Sequence, residues 1–201
     1  MKKISILDRI LFLIVGVLAA YKIVVGIEGF CTLTIVSYTI AFGVLLFAAL
    51  LFIIFGFDIL DSNLVVIVAA TIPLILSLAL IAEYLPAIRM PYMVFAIAGF
   101  LALAITRYAV PGKVATIVLA TVHGIAGLLI FSLPIIFAVQ GKTPPGFALM
   151  GVGGGVMGVG GLFLVFLKLG RPILSRDTIF TVLPGMLLFM TVAFVAGLAM
   201  R

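Results

Sequence analysis

His123 is the single histidine of this chain. An imidazole at membrane depth can relay a proton or hydrogen-bond a quinone or a polar substrate. Thr116, Ala120, His123 and Gly127 recur at the i, i+4, i+7, i+11 spacing of one helical face. With Ser132 a short way on, the candidate ligand pocket comprises His123, Thr116, Gly127 and Ser132. The structural alternative is a neutral imidazole hydrogen-bonded to a neighbouring helix. One histidine cannot supply two axial ligands, so a bis-histidine haem b is excluded within the chain. The sequence calls for no cofactor; a quinone is the one that a pocket at His123 could serve. Cys31 is alone as well, which excludes an intrachain disulfide and a cysteine-built metal centre; it is expected to be a small buried hydrophobe.

A second feature runs from Gly151 to Gly161, where seven of eleven residues are glycine. Gly151, Gly154, Gly155, Gly158 and Gly161 form one stripe on a helix. Glycine lets helix backbones approach closely in lipid, so the stripe reads as a packing seam. The competing reading is a broken or re-entrant helix that offers its backbone to a ligand. A phosphate-binding loop is disfavoured, because no Gly-Lys-Ser/Thr and no flanking strand accompany the glycines.

The carboxylates Asp8, Glu28, Asp58, Asp61, Glu83 and Asp177 all stand near the ends of apolar windows. Ion-coupled transporters place such groups deep in the bundle, so this distribution argues against proton or sodium coupling. Asp58 and Asp61, at i and i+3, are a thin magnesium site without further ligands and read as loop solvation. Glu83 is positioned to pair with Arg89 across Pro86. Lys168, Arg171 and Arg176 form the densest basic connection, suited to topology or to contact with headgroups or a cytoplasmic partner. No Gly-x-Ser-x-Gly or His-Glu-x-x-His is present, so no catalytic residue and no metal ligand set is assigned.

These residues sit in a chain of 201, of which 66% are hydrophobic and 9% charged, against about 25% charged in soluble domains. The composition excludes a soluble globular domain and a disordered one. Charged residues divide the chain into uncharged windows of 12, 29, 21, 17, 28, 25 and 23 residues. A span needs roughly 20 apolar residues, and six windows meet or approach that. The first is short. Its basic start and apolar stretch resemble a secretory signal, but Asp8-Arg9 interrupts the approach, and it reads as a first transmembrane helix if Lys22 snorkels.

The fold expected is therefore all-α: a polytopic transmembrane bundle of about seven spans with no soluble domain. The spans are expected at 10–27, 32–57, 64–85, 91–108, 114–139, 147–168 and 179–200. Tyr21, Tyr84, Tyr92 and Tyr108 mark span ends in a chain without tryptophan, while Tyr38 lies inside the second window. Pro86, Pro91, Pro111-Gly112, Pro144-Pro145 and Pro172 mark breaks. Pro73, Pro134 and Pro184 fall inside windows as kinks, with Thr71, Ser132 and Thr181 near enough to satisfy the freed carbonyls.

Lys2, Lys3, Arg9, Arg107, Lys113, Lys168, Arg171 and Arg176 fall on one side. Lys22, Arg89, Lys142 and Arg201 fall on the other. The positive-inside bias then puts the N-terminus in the cytoplasm and the C-terminus opposite. The net charge of +6 is spread through loops without a nucleic-acid motif, so nucleic acid is not an expected partner. The expected function is a non-catalytic multi-pass membrane subunit that anchors or scaffolds a larger membrane complex, with a lipid or quinone pocket near His123. The alternative is a channel or transporter for a small neutral or lipophilic solute. Expected partners are membrane lipids, other membrane or redox subunits, or a second copy through the glycine seam.

Overall fold

The computed structural model describes residues 3–110 and 112–201. Met1 and Lys2 of the basic start, and Pro111 of the fourth break, lie outside them. Seven α-helices account for most of the described chain: α1 (Ile6–Val25), α2 (Thr32–Phe55), α3 (Asn63–Tyr84), α4 (Arg89–Ala109), α5 (Lys113–Val139), α6 (Ala148–Lys168) and α7 (Arg176–Ala199). A 3-10 helix, Gly56–Asp61, prolongs α2. Six of the seven are long and apolar enough to cross a membrane, and α1, with Asp8, Arg9 and Lys22 in twenty residues, is the exception. The chain is a helical membrane bundle.

Local chemistry sets the helix ends. α1 starts upstream of its apolar stretch because Ser5 and Asp8 form a capping box. The Asp8 N–H donates to Ser5 Oγ at 3.1 Å and the Ser5 N–H to Asp8 Oδ2 at 2.9 Å. α1 therefore begins at Ile6, four residues before the expected span. Gly26 and Gly56, at φ 73° and 69°, end α1 and α2 in a backbone region that other residues rarely adopt. Ser62 and Ser175 cap α3 and α7 through their hydroxyls.

The three internal prolines do not break their helices. Nor do the expected hydroxyls reach the carbonyls that Pro73, Pro134 and Pro184 leave without an i+4 donor, those of Ala69, Ile130 and Phe180. Thr71 donates to Val68 O, Ser132 to Leu128 O and Thr181 to Asp177 O, each at 2.6–2.7 Å. A hydroxyl finds the carbonyl three or four residues before itself more readily than one across the helix.

Successive helices run antiparallel, and α1, α2, α3, α5, α6 and α7 close into a ring in which α7 packs back on α1. α4 lies outside this ring against α3 and α5. Tyr38, Phe42, Leu76, Ile130, Met150 and Phe194 fill its centre. The gap beside Phe42, Leu76 and Phe194 has no room for a water molecule. At one end Phe12 stacks on Phe52 at 4.5 Å and Phe57 on Phe180 at 5.0 Å; at the other the Arg201 guanidinium lies 3.5 Å over the Phe30 ring.

Every charged side chain on the seven helices lies within four residues of a helix end. Glu83 accepts from the Cys31 N–H at 3.1 Å rather than pairing with Arg89, because the start of α2 offers it an unsatisfied backbone donor. The Cys31 thiol is exposed, against expectation, since the residue caps α2 outside the packed helices. Tyr38 is fully buried, its hydroxyl donating to Met150 Sδ at 3.7 Å.

The glycines of α6 divide between two neighbours. A Cβ at Gly151 would stand 2.5 Å from Phe131 O, and one at Gly154 would stand 2.8 Å from Phe131 N; both face α5. One at Gly153 would stand 2.7 Å from the Phe194 ring on α7, and Gly160 also faces α7, at Met186. Gly158 faces open space. Accordingly Gly154→Ala is expected to cost about 1–3 kcal/mol through forced separation of α5 and α6. Gly158→Ala, with space for its methyl and a better helix former, is expected to hold or raise stability. Thermal unfolding in detergent, followed by circular dichroism, compares the two; equal midpoints would remove the close-approach account.

Candidate functional site: a lateral cleft between α3, α5 and α6

Below the Gly154 crossing, α5 and α6 stay in register but part in depth. His123 on α5 meets Gly161 on α6, as antiparallel helices crossing near Phe131 and Gly154 require. Here Gly158 carries no side chain to fill the gap, Phe131 and His123 lie against Gly155 and Gly161, and Val65, Val66, Ala69 and Ala70 of α3 form the far wall. The result is a cleft of about 640 Å³, within the size range of small-ligand sites. From Thr116 to Phe131 it follows α5 for about 22 Å, at 1.5 Å per residue. Leu128, Val159 and Leu162 line it and are exposed, so it opens sideways where lipid would lie.

Three of the four residues expected at a ligand pocket, Thr116, His123 and Gly127, line this cleft. Ser132 does not; it lies round the helix, half-buried and bonded to Leu128 O. Of the glycine stripe, Gly154, Gly155, Gly158 and Gly161 line the cleft, while Gly151 is consumed by the contact with Phe131 and Ile135. The α6 helix is continuous through all of them, so its backbone is bonded within the helix.

His123 is held beside Gly161, where a Cβ would stand 3.1 Å from Nε2. Nε2 is buried and has no hydrogen-bond partner. The bond to a neighbouring helix that a structural histidine would make is therefore missing at this nitrogen. A buried polar atom without a partner is unfavourable, and such atoms recur at functional positions.

The basic connection also meets the cleft. Lys168 lines its mouth and donates from Nζ to Leu60 O at 2.9 Å. Arg176 pairs with Asp61 at 3.1 Å and lies 5.2 Å over the Phe180 ring, and Arg171 is exposed between α6 and α7. Asp61 thus serves an ion pair rather than a metal, and among the described residues no three histidine, cysteine or carboxylate side chains gather as a metal site.

One residue that sequence reasoning used only for topology lies outside the cleft lining, at the same end of the bundle as Lys168. Arg107, in the last turn of α4, has Nε and Nη2 buried without partners. Its signal was its place four residues after Leu103, on the inward face of α4.

Searches of family models, curated proteins and solved structures find no match to this chain. Its site is therefore read from its own geometry.

If His123 serves a ligand rather than the fold, removing its polar atoms relieves a buried unsatisfied group. His123→Leu is expected to leave the ligand-free melting temperature in detergent unchanged or higher. A fall of several degrees would show that the imidazole holds the helices together.

Proposed function

We propose that this chain is a non-catalytic multi-pass membrane subunit that takes a lipophilic ligand from the bilayer into the cleft between α3, α5 and α6. The observation that carries this reading is the unpartnered Nε2 of His123 in a long, largely apolar, side-opening trough. An elongated trough suits a chain-bearing molecule, a lipid or a quinone, whose hydrogen-bonding group would meet the imidazole. A compact hydrated solute would need a polar path, whereas the centre of the helix ring is packed with aromatic and aliphatic side chains. The eight-to-four distribution of basic residues supports placing the N-terminus, Lys168 and the cleft mouth on the cytoplasmic side. In this reading the subunit anchors its ligand at the boundary of a larger membrane assembly.

The test uses full-length protein purified from native membranes and extracted with organic solvent for mass spectrometry. Wild type is expected to carry a stoichiometric lipophilic molecule, and Gly158→Leu, which fills the trough away from the α5–α6 crossing, to carry less than about a tenth as much. Circular dichroism would confirm that the variant keeps its helices. Equal ligand in both preparations would refute the cleft as its site. Recovery of stoichiometric partner subunits in the same purification would support the anchoring role.

A further inference from the structure

Arg107 ends α4 on the side that packs against α3 and α5, and its carbonyl accepts from Asn63 Nδ2 at 3.3 Å. Its guanidinium has two buried nitrogens with no hydrogen bond. The acid on this face of the bundle that is engaged in an ion pair, Asp61, is held by Arg176. Lys168, on the cleft wall, lies in the positive fields of Arg107 and Arg176 and the negative field of Asp61. Its ammonium has three donors and spends one on Leu60 O. Lys168 thus stands on the wall of the trough, and Arg107, half-buried with two unpartnered nitrogens, ends α4 at the same end of the bundle. That arrangement is unfavourable until an anion arrives.

A membrane supplies such an anion attached to an apolar chain. We propose that the mouth of the cleft binds the phosphate of an acidic glycerophospholipid, with Arg107 and Lys168 as its cationic partners. An acyl chain then lies along Gly158 toward Phe131. His123 stands seven residues further along α5 than Thr116, about 10 Å deeper. A phospholipid carries ester carbonyls below its phosphate, on the path from the mouth toward His123. A fatty acid has no second polar group, and a free anion has no chain to fill the trough. The proposal rests on the cleft being a lipophilic site and names the chemistry of its ligand.

The test titrates delipidated full-length protein in detergent with phosphatidylglycerol, phosphatidylcholine, palmitate or inorganic phosphate, and reads bound ligand by native mass spectrometry. Wild type is expected to favour phosphatidylglycerol over phosphatidylcholine by about tenfold or more, as charge-assisted hydrogen bonds would give. Arg107→Gln with Lys168→Gln is expected to bring that ratio near one while lipid still binds. Arg107→Lys, which keeps the charge, should retain part of the preference. Gly158→Leu should weaken both lipids. Arg107→Leu should raise the lipid-free melting temperature and lose the rise caused by phosphatidylglycerol, which a merely structural arginine would not do.

Equal binding of the two lipids by wild type, or an unchanged ratio in the double glutamine variant, overturns the anion site. The lipophilic cleft survives that result if Gly158→Leu still weakens both lipids, and fails with it if Gly158→Leu does nothing. Palmitate binding as tightly as phosphatidylglycerol overturns the phospholipid assignment, and inorganic phosphate doing so overturns the need for a chain. A dimer that excludes lipid would put a second copy's helix in the trough and also overturn the proposal.

Discussion

Helix α6 lies between α5 and α7 with its backbone almost bare. Gly151 and Gly154 rest on the Ile130–Phe131 peptides, and one residue away Gly153 rests on the Phe194 ring. In hydrocarbon there is no hydrophobic drive to bring helices together, because lipid tails are as apolar as leucine; contact must come from packing at short range. The crossing also falls where α5 has a carbonyl to spare, since the i+4 partner of Ile130 is Pro134. From α7 the approach is returned at Gly197, where a Cβ would stand 2.6 Å from Met150 N. The same property works in reverse beyond the crossing. Gly155, Gly158 and Gly161 continue the run while the helices no longer touch backbone to backbone; the Phe131 ring and the His123 imidazole take the room at Gly155 and Gly161, and Gly158 leaves its room to the cleft. One stretch of glycine both clamps the bundle and opens it.

Much of the architecture is legible in the order of residues because hydrocarbon penalises charge so heavily. Positions of Asp, Glu, Lys and Arg mark the helix ends, and of the glycine stripe Gly151 and Gly154 lie against the α5 backbone. The face shared by Thr116, His123 and Gly127 also survives folding. Ser132 does not share it for a simple reason: sixteen residues at about 100° each leave it roughly 160° from Thr116, whereas Gly127 is within about 20°. What cannot be read is which neighbour each face meets. Gly153 and Gly160 turn to α7, a second seam that a single stripe concealed. Arg107 was legible as a topology signal, but its inward face mattered only once α4 lay outside the ring.

The polar side chains inside the bundle mostly find partners close to hand. Thr106, Ser77 and Thr191 donate to carbonyls of their own helices, and Thr34 reaches Ala79 O on α3. Ser77 and Tyr92 join hydroxyls across α3 and α4 at 2.6 Å. Buried side-chain atoms left unpaired among the described residues belong to Thr143 in the α5–α6 connection, Arg107 and His123. Where nearly every hydroxyl is satisfied by local geometry, the unpaired His123 on the cleft wall gains weight.

Closure of the ring by α7 against α1 has a consequence for how the molecule is made. A ribosome delivers α1 first and α7 last. Phe12, Phe52 and Phe57 wait for Phe180, so the aromatic plug at that end is assembled only when the final helix enters the bilayer. During synthesis the earliest helix must therefore remain laterally free, or be shielded by the insertion machinery, while five others are threaded after it. Quality control that senses an unclosed seam between α1 and α7 would read completeness of the helix ring at one place.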